Sequence, residues 1–239
     1  MTMNRMLLLS LLLLLAMSGA FGIRGADVGP ICLFKGRETD KSPSFSWQAS
    51  LDTATGIGRA KETSKAIFKI TGSSREAIEK LQHFSHTLAA SYPNWLASGS
   101  VTLGTLRAVS NPDDLSTDLK PRLIDTCLLS FGDLRIKRAT TTGCEFELPI
   151  TGGLLSLPSK GKQDRGCINF EVISDSMPDD SVISCYMRTT IAGSYCPIVA
   201  GAPPVPFVRK WTYLSSQSLV HAYVMWRYHK AWNTGIKEL

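Results

Sequence analysis

From Phe207 to Trp232 the chain carries neither glycine nor proline, and Pro206 stands at the head of that run. Proline suits a first helical turn, where its missing N–H has no partner to lose. A single helix is therefore predicted from about Pro206 to about Trp232, roughly 40 Å long at 1.5 Å per residue. From Leu219 to Trp226 it is apolar on nearly every side, interrupted only by His221. A helix with no polar face has to be buried. Ser215, Ser216, Gln217 and Ser218 divide the run, and Arg209, Lys210 and Arg227 flank too short an apolar core for a membrane span. The rest of the chain must then supply something able to cover several sides of one helix.

The upstream sequence offers strands. "KAIFKIT" reads as a strand from Ala66 to Thr71, and Ser73 and Glu76 stand at capping-box spacing to open a helix. Ala77, Ile78, Leu81, Phe84, Leu88 and Ala89 give that helix an apolar stripe, and Pro93 is expected to stop it. "NWLASGSVTLGTLRAV" reads as a turn and a strand, and "NPDDLSTDLKP" as a polar loop. "RLIDTCLLSF" and "LRIKRAT" follow as strands. In "GCEFELPITGGLL", Cys144, Phe146 and Leu148 alternate with Glu145 and Glu147. "GCINFEVI" puts Ile168, Phe170 and Val172 on one face, and "SVISCYMRTTIAG" does the same for Ile183, Cys185, Met187 and Ile191. Gly152-Gly153 within a strand run predicts a bulge or sharp bend. "YCPIVAGAPPVP" is a Pro-rich connection to the last helix.

The order is strand, helix, successive antiparallel strands, long C-terminal helix. That order, over about residues 64 to 235, resembles the START-like (SRPBCC, helix-grip) superfamily. Locally, "AIFKITGSSREAIEKL" followed by "YPNWLASGSVTL" looks like that family's first strand, first helix and Trp-bearing turn. The first helix departs from the pattern by reading as one long helix where the family has two short ones. The resemblance implies an α+β fold, a curved antiparallel sheet wrapped around a long C-terminal helix with a cavity between them.

The N-terminus reads as a targeting segment. Arg5 precedes the apolar stretch Met6 to Met17, and the small residues Ser18, Gly19 and Ala20 supply a cleavage site, so residues 1–20 are assigned as a signal peptide. Cleavage there exposes Phe21. "SGAFGIR" resembles the bipartite plastid presequence of diatoms and related algae, in which a transit peptide beginning with Phe follows the signal peptide. Residues 21–63 are accordingly read as transit-peptide-like or disordered, and residues 64–239 as the START-like domain. Asp27, Glu38, Asp40, Asp52 and Glu62 depart from the acid-poor composition of such peptides, which keeps secretion or an endomembrane lumen as the alternative to a plastid.

Hydrophobic content of 44% and charged content of 19% describe a globular chain. The six cysteines, Cys32, Cys127, Cys144, Cys167, Cys185 and Cys196, are widely spaced without a Cys-x-x-Cys. Cys144 and Cys185 fall on buried strand faces, where a thiol acts as a small hydrophobe, so reduced core thiols are expected. One disulfide, such as Cys185 with Cys167, is the alternative. The net charge of +6 comes without a basic run interleaved with aromatics and without a finger or helix-turn-helix signature, so no nucleic-acid partner is expected. "RIKR" at Arg135 to Arg138, with the acid-free stretch between Asp180 and Glu238, marks an anionic membrane surface as a possible partner.

Candidate chemistry is sparse. His83 and His86 have ligand spacing on a helix but no third ligand, so no metal is assigned. "TGIGR" lacks the remaining glycines of a dinucleotide site, and no nucleophile elbow, zincin or Walker motif is present, so no cofactor is expected. Asp125 alternates with Leu123, Cys127 and Leu129 and so points inward on this reading, which allows an Asp125–His221 dyad. His221 and His229, eight apart, share one helix face. The first functional reading is non-catalytic binding, or transfer, of a hydrophobic small molecule such as a lipid, isoprenoid or pigment. Its expected lining is Phe146, Leu148, Phe170, Met187, Leu214, Met225 and Trp226, with Gln217 and His221 as polar contacts. The alternatives are a cyclase- or isomerase-like enzyme using the same cavity, and a membrane-surface assembly protein with a filled core.

Overall fold

In the row Trp47–Glu62–Thr189–Phe170–Phe146, each residue is the cross-strand partner of the next, so one line of side chains crosses five strands. The computed structural model that shows this describes residues 45–69, 74–98, 105–113, 115–158, 165–174, 182–232 and 237–238. The elements are β1 (Phe45–Leu51), β2 (Gly58–Lys69), α1 (Ser74–Ala97), β3 (Leu106–Asn111), β4 (Ser116–Pro121), β5 (Leu129–Phe131) and β6 (Arg135–Ala139). There follow β7 (Gly143–Gly152), β8 (Ser156–Leu157), β9 (Cys167–Ser174), β10 (Val182–Ala192), β11 (Cys196–Pro197), α2 (Phe207–Ser215), α3 (Gln217–Trp232) and β12 (Lys237–Glu238).

The fold is α+β, with one large sheet ordered β1-β2-β10-β9-β7-β5-β4-β3. All of these neighbours pair antiparallel; β6 adds to β7, and β12 lies parallel on β2. β8 and β11 form a separate pair.

Alternation places the core. Cys144, Phe146, Leu148 and Ile150 of β7 are buried, with Ile168, Phe170 and Val172 of β9 and Cys185, Met187 and Ile191 of β10. They form one apolar cluster with Leu81, Phe84, Leu88, Tyr92 and Leu96 of α1 and Met225 and Tyr228 of α3. Each large side chain so buried contributes about 1.5–3 kcal/mol. Tyr92 and Tyr228 meet edge to face at 5.1 Å, and both rings contact Phe170. Cys127, Cys144, Cys167, Cys185 and Cys196 are not joined in disulfides; Cys32, like the proposed targeting segment up to residue 44, lies outside the described residues.

Several expectations are corrected. Strand structure begins at Phe45, ahead of Ser64, because β1 and the first half of β2 are half-polar strands without a strong apolar period. Pro93 does not end α1, which continues to Ala97 and takes up Asn94, Trp95 and Leu96. Proline there removes one intrahelical bond. Tyr92 and Leu96 are buried on either side of it, and this tertiary packing outweighs the local penalty. In the same turn, the Ser91 hydroxyl donates to the Leu88 carbonyl at 3.1 Å, and the Tyr228 hydroxyl donates to it as well. "NPDDLSTDLKP" contains a strand, β4, whose Leu119 is buried, and Leu115 takes a positive φ in the turn before it. Of "RLIDTCLLSF" only Leu129–Phe131 is a strand, with Leu123 and Ile124 exposed. The C-terminal helix starts after Pro206 and ends at Trp232 as expected, but it is broken at Ser216 into α2 and α3. Opposite Gly152, the β5–β7 register shifts between Ser130 and Phe131, the irregularity that the paired glycines predict.

Candidate functional site

On its inward face β2 presents Gly58, Ala60, Glu62 and Ser64. Two of these are polar, and both are buried. β10 contributes Thr189 beside Glu62, and α3 lies across them with His221 and His229. Eight residues is slightly more than two helical turns, so both imidazoles descend on the same strand.

The hydrogen bonds run in one direction. Burial, with a smaller contribution from His221, depresses the His229 pKa to about 3, so its ring is neutral and carries one proton. Glu62 Oε2 accepts from the Thr189 hydroxyl at 3.0 Å. With that proton committed, Thr189 can only accept from His229, so the imidazole proton sits on Nε2, 3.2 Å away. His229 Nδ1 then accepts from the Ser64 hydroxyl at 2.7 Å. The chain of donors is Ser64, His229, Thr189, ending on the carboxylate. Phe45 closes the outer side with its ring edge-on to His229 at 5.6 Å.

The other carboxylate oxygen is different. Glu62 has 0% exposure, and Oε1 lies 3.2 Å from His221 Nε2. The two atoms are close enough to pair, yet neither makes an aligned hydrogen bond. Trp47 Nε1, Gln217 Oε1 and Ser218 Oγ are also buried without a partner. Trp47 is the cross-strand neighbour of Glu62, and Gln217 and Ser218 occupy the turn of α3 just before His221. Gln217 is held through its amide nitrogen, which donates to the Tyr195 hydroxyl at 2.8 Å. The charge of Glu62 is felt nearby: burial and then Glu62 push the Tyr213 phenol up to about 12. Donors (Trp47, Ser218) and acceptors (Glu62, Gln217) are thus left unmet on β1, β2 and the first turn of α3, in the interior, where an unmet polar group is costly.

Of the expected lining, Phe146, Leu148, Phe170, Met187 and Met225 all lie in the packed apolar cluster. Leu214 packs instead against a second cluster of Leu51, Ala200, Val205 and Tyr213. Trp226 is half-buried, tilted on Tyr223 with the Lys230 ammonium 5.3 Å from its ring centre. Gln217 and His221 are at the polar site. Asp125 is not: its side chain is 77% exposed and pairs with Arg107 and Lys120 at 3.3 Å. The Asp125–His221 dyad is thus replaced by Glu62 and His221, because the chain around Asp125 is not a strand and does not alternate. His83 and His86 are exposed on α1, and no group of three metal-ligating side chains occurs among the described residues.

Two surface depressions lie elsewhere. One of about 590 Å3 is bounded by Glu76, Lys80, His83, Phe84 and Trp232. The other, about 920 Å3, is bounded by Arg135, Lys137, Glu147, Arg165 and Cys167 among others. Neither includes Glu62 or His221.

No family model and no curated protein matches the chain. Among solved structures it is similar to CalU16 from Micromonospora echinospora, at 6% identity and a TM-score of 0.25, over 79% of this chain and 96% of that one. A likeness so distant carries no functional argument.

Proposed function

We propose that this domain binds a hydrophobic small molecule whose polar head is received by Trp47, Glu62, Gln217, Ser218 and His221 between the sheet and α3. The observation that supports it is the group of buried polar atoms there without hydrogen-bond partners. Such groups are rare in native interiors, and a ligand hydroxyl or carbonyl would satisfy donors and acceptors together. Entry requires the α2–α3 corner to move, and the helix break at Ser216 is where it would pivot. The helix-grip arrangement belongs to the same proposal. In its favour, β2 pairs with the last long strand, β10, and the chain then returns as α2 and α3 over β1 and β2. With the Phe21 presequence pattern, the setting we propose is a plastid, with a lipid, isoprenoid or pigment as ligand class.

The test is native mass spectrometry with organic extraction on the full chain purified from an algal host. A stoichiometric lipid, isoprenoid or pigment, lost on Glu62→Gln or Ser218→Ala, is expected. An empty protein that takes up no member of a lipid panel, with water filling the site, would overturn the reading.

A second reading is favoured by the 3.2 Å Glu62–His221 approach. A carboxylate beside an imidazole can orient it as a general base for a cyclase- or isomerase-like reaction. It requires that His221→Ala abolish turnover of the extracted ligand while leaving its binding intact.

A further inference from the structure

We propose that α2 is a membrane-docking element that lays Phe207, Val208 and Trp211 into the headgroup region of an anionic bilayer. Phe207 and Val208 are 71% and 72% exposed, and Trp211 is 43% exposed. At 3.6 residues per turn these three share one face of α2. Phe207 and Trp211 already touch edge to face at 5.9 Å, so the aromatic pair is formed before anything binds it. The opposite side of the helix is anchored, because Tyr213 is buried with Leu51, Ala200 and Val205. α2 is therefore held to the body by one side and presents large apolar groups on the other. A concentrated patch of that kind marks a contact surface.

Charge decides the occupant. Arg209 and Lys210 lie in the same helix and make no ion pair among the described residues. No acidic residue occurs between Asp180 and Glu238. By helical spacing these cations flank the apolar face of α2, where they would meet the headgroups of a bilayer that takes up Phe207 and Trp211. Phe and Trp interleaved with Arg and Lys on an amphipathic segment is the composition that settles at a lipid interface. The basic strand β6 is a poorer candidate, since Lys137 pairs with Glu145 and Arg138 with Glu171.

The experiment is flotation of the full chain with vesicles of phosphatidylcholine alone or mixed with phosphatidylglycerol, at low and high salt. Binding to the mixed vesicles is expected to exceed binding to phosphatidylcholine alone by about ten-fold or more, and to fall as salt rises. Phe207→Glu with Trp211→Glu should lower it by at least about ten-fold, with circular dichroism unchanged. Arg209→Gln with Lys210→Gln should remove the salt-dependent part and leave weak binding. No vesicle binding, equal binding to both lipids, or an unaffected Phe207/Trp211 double variant would overturn the proposal. So would concentration-dependent dimerisation abolished by that variant, or capture of an acidic protein in place of vesicles.

Discussion

Glu62 Oε1 and His221 Nε2 stand 3.2 Å apart in the interior without an aligned hydrogen bond. The carboxylate is held by Thr189 on its other oxygen, at 3.0 Å. Removing His221 leaves a buried carboxylate with one neutral partner. His221→Ala is expected to cost about 1–3 kcal/mol in urea unfolding, the range for taking the neighbour away from a buried polar group. In a Glu62→Gln background the same change should cost less, because a buried amide is cheaper to leave without that neighbour than a carboxylate, and a double-mutant cycle reads the difference.

Stability should also fall with acid in a defined window. The folded pKa of His229, about 3, is below its unfolded value near 6.5, because burial and then His221 oppose its protonation. Between those values the unfolded chain takes up a proton that the native chain refuses, so native stability is lost as pH falls from about 6.5 towards 3. The slope contributed is up to about 1.4 kcal/mol per pH unit. His229→Gln should flatten melting temperature against pH over that interval.

Gly152 and Gly153 should respond very unequally to alanine. A Cβ on Gly152 would meet only Ser130 Cβ at 3.6 Å, an ordinary contact. On Gly153, at φ +104, it would lie 2.4 Å from the Leu128 carbonyl oxygen and 2.5 Å from Leu129 Cα. Both neighbours are backbone and cannot turn away. Gly153→Ala is expected to cost about 3 kcal/mol, Gly152→Ala under about 1, by chemical denaturation.

Tyr228→Phe removes the hydroxyl that ties α3 to the Leu88 carbonyl of α1 and meets Ser91 at 3.3 Å. About 1–2 kcal/mol should be lost, while the ring keeps its place among Tyr92, Trp95 and Phe170. Asp125→Ala, by contrast, removes only exposed ion pairs and should change stability by less than about 1 kcal/mol, with ligand occupancy unaffected.

The strands β7, β9 and β10 were legible in the sequence because a sheet with one buried face writes period-two hydrophobicity into its central strands. Phe146, Phe170 and Met187 obey that rule and are buried. Glu62 was not legible for the same reason. In "GRAKETSK" the inward residues are Gly58, Ala60, Glu62 and Ser64, so no apolar period marks the strand. Asp125 failed in the opposite sense: its neighbours alternate in type, but the backbone there is not a strand until Leu129, and Leu123 is 97% exposed. The two histidines of α3 were placed on one face by helical spacing alone. That spacing does not say which carboxylate they meet, since the strand opposite is far away in the chain.

The position of Glu62 within β2 has a practical consequence. Trimming the chain to start at Ser64 would keep both histidines, Thr189 and most of the apolar cluster of the sheet. It would delete Trp47 and the carboxylate, and it would strip β10 of its partners from Arg188 to Ile191. The exposed margin of β10 would then be open to adding strands from other molecules. A shortened fragment of that kind would aggregate, or would fold with His221 facing an empty position. Either way it would test a different molecule, so the smallest preparation that carries this protein's chemistry begins upstream of Phe45.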